Sequence, residues 1–176
     1  MRTALSIAGV AIFVLTAPGT ALAQGSGAEA RLKQLNITLP ADQAPAANFV
    51  NSVQAGKLLF LSGNTPGGQW PLKGKVGKDL TIEQGYDSAR QTGLIMLGKI
   101  RTALGSLDRV KRIVKVLGMV NSADGFSDQP KVVNGFSDLM VEVFGETVGK
   151  HARSAVGMAG LPGNAPVEVE MILEVE

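Results

Sequence analysis

The chain has 176 residues, 45% of them hydrophobic, with a formal net charge of +2. That length supports one sizeable core. The charges are interspersed and aromatic residues make up only 5%, which gives neither the basic stripe nor the stacking platform of a nucleic-acid binder. With no cysteine there is no disulfide framework, lipoprotein attachment site or thiol nucleophile. The single histidine, His151, cannot alone build a His-based metal site. No metal-ligand spacing occurs, and no cofactor is expected.

Residues 1–24 read as a secretory leader. Arg2 supplies the positive end, residues 4–17 the apolar run, Pro18-Gly19 a break and Ala21-Leu22-Ala23 the small-x-small cleavage pattern. The run is shorter than the roughly 18–20 residues of a spanning helix. Cleavage after Ala23 predicts a periplasmic or secreted product with no membrane partner. Residues 24–47 read as an extension or linker, with a short helix over 29–35, and residues 48–176 as the folded domain.

Residues 49–54 and 58–62 predict two strands around a Gly56-Lys57 turn. Leu58 and Phe60 point one way, Leu59 and Leu61 the other, so both faces want cover. Residues 62–68 form a loop with exposed backbone N–H groups, and residues 70–72 could add a short strand. Thr81-Ile82-Glu83-Gln84 has the form of a capping box. The helix it opens runs to Leu104, with Gly105 as its left-handed stop. Ala89, Met96, Ile100 and Leu104 recur at helical spacing. Gly93 and Gly98 each cost about 1 kcal/mol relative to Ala, and close approach to a sheet would offset that.

Residues 109–121 predict a long strand, with Val110, Val114, Val116 and Val120 on one face and Ile113, Leu117 and Met119 on the other. Asp128 and Pro130 open a second helix. Its buried stripe is Val132, Phe136, Leu139, Met140 and Val143, and Gly145 ends it.

Residues 149–174 read as a strand pair joined by a Leu161-Pro162-Gly163-Asn164 turn. Val167, Val169, Met171, Leu173 and Val175 alternate with Glu168, Glu170 and Glu174; only Ile172 breaks the pattern. Arg153 shares its face with His151, Ala155 and Gly157. A guanidinium beside small residues suits a small carboxylate, which it grips in a two-toothed fork. The alternative is a structural ion pair with Glu168 or Glu170. The order is β-β-α-β-α-β-β, an α+β fold. Two helices cover only one face of such a sheet, and the other face points to self-association.

The blocks Leu59-Phe60-Leu61-Ser62-Gly63-Asn64, Val133-Asn134-Gly135, Ala152-Arg153-Ser154-Ala155-Val156-Gly157, Leu161-Pro162 and Val167-Glu168-Val169-Glu170 resemble the RidA (YjgF) family from about Phe49 onward. Val120-Asn121-Ser122-Ala123-Asp124, Phe144-Gly145-Glu146 and His151-Ala152-Arg153-Ser154 resemble a mostly uncharacterised sub-branch, here an exported one. The resemblance implies a chorismate-mutase-like fold with two helices on one face, a homotrimer with a central β-barrel, and clefts between subunits. It also implies hydrolysis of reactive enamines and imines to 2-oxo acids and ammonia, or binding of small carboxylates without turnover. By the same resemblance Arg153 would bind the carboxylate and Glu168 would position water. Ser62, Gly63 and Ala155 would line the site, and Asn134 would serve as a loop tie or ligand contact. Phe49 stands where family deaminases carry Tyr, and Ala155 where several carry Cys. Ribonuclease activity, reported for some relatives, finds neither a basic groove nor an acid–base pair.

Overall fold

The computed structural model describes residues 27–176; the leader and its cleavage point lie outside them. The elements are α1 (Ala28–Gln34), β1 (Ser52–Ala55), β2 (Leu58–Asn64), α2 (Ile82–Leu104), β3 (Val110–Asn121), α3 (Gln129–Gly149), β4 (Ala152–Met158) and β5 (Val167–Val175). Among the described residues, no helix is long and apolar enough to cross a membrane.

Local chemistry sets the helix ends. The Thr81 hydroxyl accepts from the Gln84 N–H at 3.2 Å, and the Gln84 side chain accepts from the Thr81 N–H at 2.9 Å, a complete capping box. Gly105 closes α2 at φ 80°. Asp128 makes no side-chain cap; its carboxylate meets Lys131 at 3.1 Å instead. Gly145, at φ 76°, breaks the helical path of α3, but one more turn follows to Gly149. Residues 70–72 form no strand.

The strands form one sheet in the order β1-β2-β5-β3-β4. Helices α2 and α3 pack together over one face, where Leu59, Leu61, Val116, Val120, Val167, Val169, Met171 and Leu173 join Met96, Ile100, Phe136 and Leu139 in the core. The opposite face leaves Val53, Phe60, Val156 and Met158 exposed. Ile172 lies beside Phe60 on that face, so the odd residue of β5 belongs to an apolar patch.

Three expectations are corrected. The sheet is open, with β1 and β4 as its two edges. This overturns the sheet closed into the central β-barrel of a homotrimer; the architecture is that of one chain. Second, β4 and β5 do not pair with each other. Strand β3 lies between them, parallel to β4 and antiparallel to β5. The segment β3–α3–β4 is a βαβ unit, whose crossover helix lays its two strands side by side in parallel. Third, the two faces of β3 are not divided by simple parity. Register shifts fall between Val110 and Arg112 and between Ile113 and Lys115. Each irregularity of this kind reverses the inward-outward alternation. Ile113 is therefore buried with Val110 and Val116, while Val114 is 37% exposed.

Candidate functional site

The sheet register divides the predicted site residues into two groups. Arg153 pairs with Val116, which pairs with Met171, and Ala155 pairs with Gly118, which pairs with Val169. These positions face the helices. Glu168 pairs with Met119, which pairs with Val156, and this row faces the open side. Within one chain Arg153 and Glu168 thus lie on opposite faces of the sheet, and the ion pair considered from the sequence does not form.

Around Arg153, the edge strand β4 presents the guanidinium to the first turns of α3. Nη1 donates to Asn134 Oδ1 at 2.9 Å and to Ser137 Oγ at 3.0 Å, and Nη2 donates to the Pro130 carbonyl at 3.4 Å. Every one of these acceptors is neutral. Arginine carries five N–H donors, so the Nε edge keeps donors for a ligand. Among the described residues Arg153 has no carboxylate partner. Asn134, expected as a loop tie or ligand contact, accepts from Arg153 and so anchors the guanidinium. Ala155 is partly buried against the core one step along β4.

The sequence reading missed how His151 and Ser137 join this group. His151 Nδ1 lies 2.7 Å from the Gly149 carbonyl, and its Nε2 lies 3.0 Å from Ser137 Oγ. A carbonyl can only accept, so Nδ1 carries the proton and Nε2 accepts a hydrogen bond from the Ser137 hydroxyl. Ser137 then offers its lone pairs to Arg153. Burial pushes the His151 pKa down, and the positive charge of Arg153 adds to that against a raising contribution from the Gly149 hydrogen bond. The signal available in the sequence was spacing: Asn134 and Ser137 are neighbours on one helix face, and His151 and Arg153 share a strand face.

On the other side, the carboxylate of Glu168 lies against Gly63 so closely that a Cβ there would collide with it. Burial raises the Glu168 pKa, and repulsion from Glu170 raises it further. Among the described residues Glu168 has no hydrogen-bond or ion-pair partner. It opens into a cleft of about 710 Å³ between the segment 40–51, the loop after β2 and the flank of α2. Gly63 and Phe49 line the same cleft, so three predicted residues meet there. Ser62 does not: its hydroxyl donates to the Val50 carbonyl at 2.6 Å, and it borders a smaller hollow beside Phe60 and Glu170. No group of three or more His, Cys, Asp or Glu side chains among the described residues is placed to hold a metal.

Comparison with known proteins matches residues 29–175 to the family described as "YjgF/chorismate_mutase-like, putative endoribonuclease". The chain belongs to the RidA/YjgF family. It is similar to Protein TCP17 of Trypanosoma cruzi, at 47% identity over 82% of this chain and 92% of that protein. It is similar to the crystal structure of Atu1372 from Agrobacterium tumefaciens, at 39% identity and a TM-score of 0.76, over 84% of this chain and 91% of that one. It shares the fold of Escherichia coli TdcF, solved with bound serine, at 22% identity and a TM-score of 0.55, over 77% of this chain and 94% of that one. The family match supports a RidA-type enzymatic role.

Proposed function

We propose that this protein hydrolyses reactive 2-imino and 2-enamino acids to 2-oxo acids and ammonia. The observation that carries the reading is a guanidinium held only by neutral acceptors, in a chain whose cleft-lining Glu168 is equally unpaired. Arg153 grips the substrate carboxylate through its Nε edge. Glu168 takes a proton from water as the oxygen adds to the imine carbon. That proton goes to nitrogen, giving a carbinolamine; its hydroxyl proton then passes by way of Glu168 to the nitrogen, the C–N bond breaks, and ammonia leaves as the carbonyl forms. An enamine first takes a proton at carbon to become the imine. A carboxylate whose pKa is raised by burial is a stronger base than an ordinary surface glutamate. No cofactor is needed.

The two groups lie on opposite faces of one sheet, so one small acid touches both only if Glu168 comes from a second copy of the chain. The exposed Val53, Phe60, Val156 and Met158 give the open face a surface on which a copy can seat. Complementation is the test. Arg153→Ala and Glu168→Gln proteins, each assayed alone on freshly generated 2-iminopropanoate, should retain at most about 1% of wild-type turnover. Co-expressed and co-purified, they should regain a substantial fraction of wild-type turnover. Full activity of Arg153→Ala alone would end the mechanism.

A second reading, capture of small carboxylates without turnover, is favoured by Phe49, which brings no hydroxyl to the cleft. It predicts thermal stabilisation by 2-oxo acids or serine, lost in Arg153→Ala, with no ammonia released. We place either activity outside the cytosol on the strength of the leader. Amino-terminal sequencing of the exported protein should begin at Gln24.

A further inference from the structure

The cleft next to Glu168 is much larger than the smallest imino acids require. Such a molecule has six heavy atoms, which fill less than about 200 Å³ at the volume of bound water. The cleft holds about 710 Å³, within the range of sites for larger organic ligands. Resting on the reading of Glu168 and Arg153 above, we propose that this cleft is a side-chain subsite. The substrates are 2-imino acids with a large apolar or aromatic side chain.

The lining supports that class. Phe49, Pro66, Trp70, Ile95 and Pro162 supply apolar walls. The Trp70 indole N–H is committed to Ser88 Oγ at 2.9 Å, which pins the ring and leaves its carbon surface for contact. Phe49 is 56% exposed and lines the cleft. The charges lining the cleft explain the selectivity. Lys99, only 9% exposed, lies 3.4 Å from Asp42 and donates to Asn51 Oδ1 at 2.6 Å. Asn51 in turn donates to Asp42 at 2.9 Å. That cation and that anion neutralise each other, which leaves Glu168 as the one unpaired charge among the residues lining the cleft. Apart from Glu168, which the imine carbon and its water occupy, none of the lining residues answers a charged side chain.

The same triad makes the cleft a formed feature. The segment 40–51 has little secondary structure of its own, yet Asp42 and Asn51 tie it to α2 through Lys99. A wall already in place spares a ligand the cost of ordering it. The substrate thus lies with its imine carbon at Glu168 and its side chain along Ile95 and Trp70.

The test compares imines made in place by an amino-acid oxidase from alanine, leucine and phenylalanine, with semicarbazide competing for the imine. The phenylalanine-derived imine should be hydrolysed with a kcat/KM at least about tenfold above the alanine-derived one. Ile95→Trp, which fills the cleft, should lower that ratio about tenfold. Gln91→Trp, at a half-buried cleft position on α2, should do the same if the first variant folds poorly. Phenylpyruvate should raise Tm more than pyruvate at equal concentration. Equal or better turnover of the alanine-derived imine, unaltered by either Trp substitution, overturns the subsite and leaves the hydrolytic reading intact. Absence of both turnover and 2-oxo acid binding overturns the hydrolytic reading, and the subsite falls with it. Preferential binding of phenylpyruvate without turnover sustains the subsite and defeats only the chemistry.

Discussion

The two faces of the sheet hold their charged residues by opposite means. On the covered side Arg153 is fixed by Asn134, Ser137 and the Pro130 carbonyl, three acceptors that orient a cation without cancelling it. On the open side Glu168 has no polar partner among the described residues; packing against Gly63 and partial burial hold it, and its ionised form is disfavoured. A structural ion pair would have joined such groups and quenched both. Keeping them apart leaves both charges uncancelled within the chain, which is the state the proposed mechanism calls on.

Arg153→Ala breaks the comparison most severely. On the proposed mechanism it removes the charged hydrogen bonds to the substrate carboxylate, and kcat/KM should fall about 1000-fold. Tm should change little, because the anchors on α3 can turn to water. A steady-state assay paired with a melting curve separates the two outcomes.

Glu168→Gln comes next, with kcat expected to drop about 100-fold. Its effect on stability has a definite sign. The native carboxyl binds its proton more tightly than the unfolded one, so ionised Glu168 destabilises the fold above the ordinary carboxylate range. The glutamine variant should therefore melt higher than wild type at pH 7. The gap should close as pH falls to the unfolded value near 4.5. A variant less stable than wild type at pH 7 would show that Glu168 makes favourable contacts as an anion.

Much of this division could not be read from the chain. The strand alternation of residues 167–175, the Thr81 capping box and the Gly105 stop are local, and they emerged intact because each depends on neighbours within about one turn. Arg153 and Glu168 were picked out as residue types. Their separation depends on β3 sliding between β4 and β5, a pairing choice that no local pattern encodes. The bulges of β3 likewise moved Ile113 to the covered face against its parity. The cleft escaped notice because its walls come from residues 40–51, 63–70 and α2, distant in sequence and individually bland. Lys99 gains its place in the wall only through Asp42 and Asn51, which lie about 50 residues earlier in the chain.

Gly63→Ala sharpens the contrast with less damage. The backbone at Gly63 is not in the left-handed region, so alanine meets no backbone strain there. Its methyl group would displace the Glu168 carboxylate, the end of a flexible side chain. Activity should fall about tenfold, the cost of a modest misplacement of a reacting group, with Tm close to wild type. A larger loss of stability than of activity would mean that Glu168 is fixed in a packed role.

The smallest effect belongs to His151, and it tests whether the covered side is a connected unit. Its native pKa lies below the ordinary 6.5 because of burial first and Arg153 as well. The native state therefore binds fewer protons than the unfolded state just below that value, and stability is lost as pH falls from 6.5. His151→Asn should flatten that part of the curve. Protonation at Nε2 also ends its ability to accept from Ser137, so the hydroxyl must turn away, and one of the three acceptors on Arg153 is disturbed. In wild type, KM should then rise as the imidazole titrates, with kcat less affected, because the carboxylate grip is altered and the base is not. As the chain has one histidine, its ring resonances can be followed without ambiguity. In Arg153→Ala they should titrate at a higher pH than in wild type, since a neighbouring cation has gone. An unchanged titration would mean that the guanidinium and the imidazole do not act on each other, and the covered side would reduce to Arg153 and its two nearest anchors.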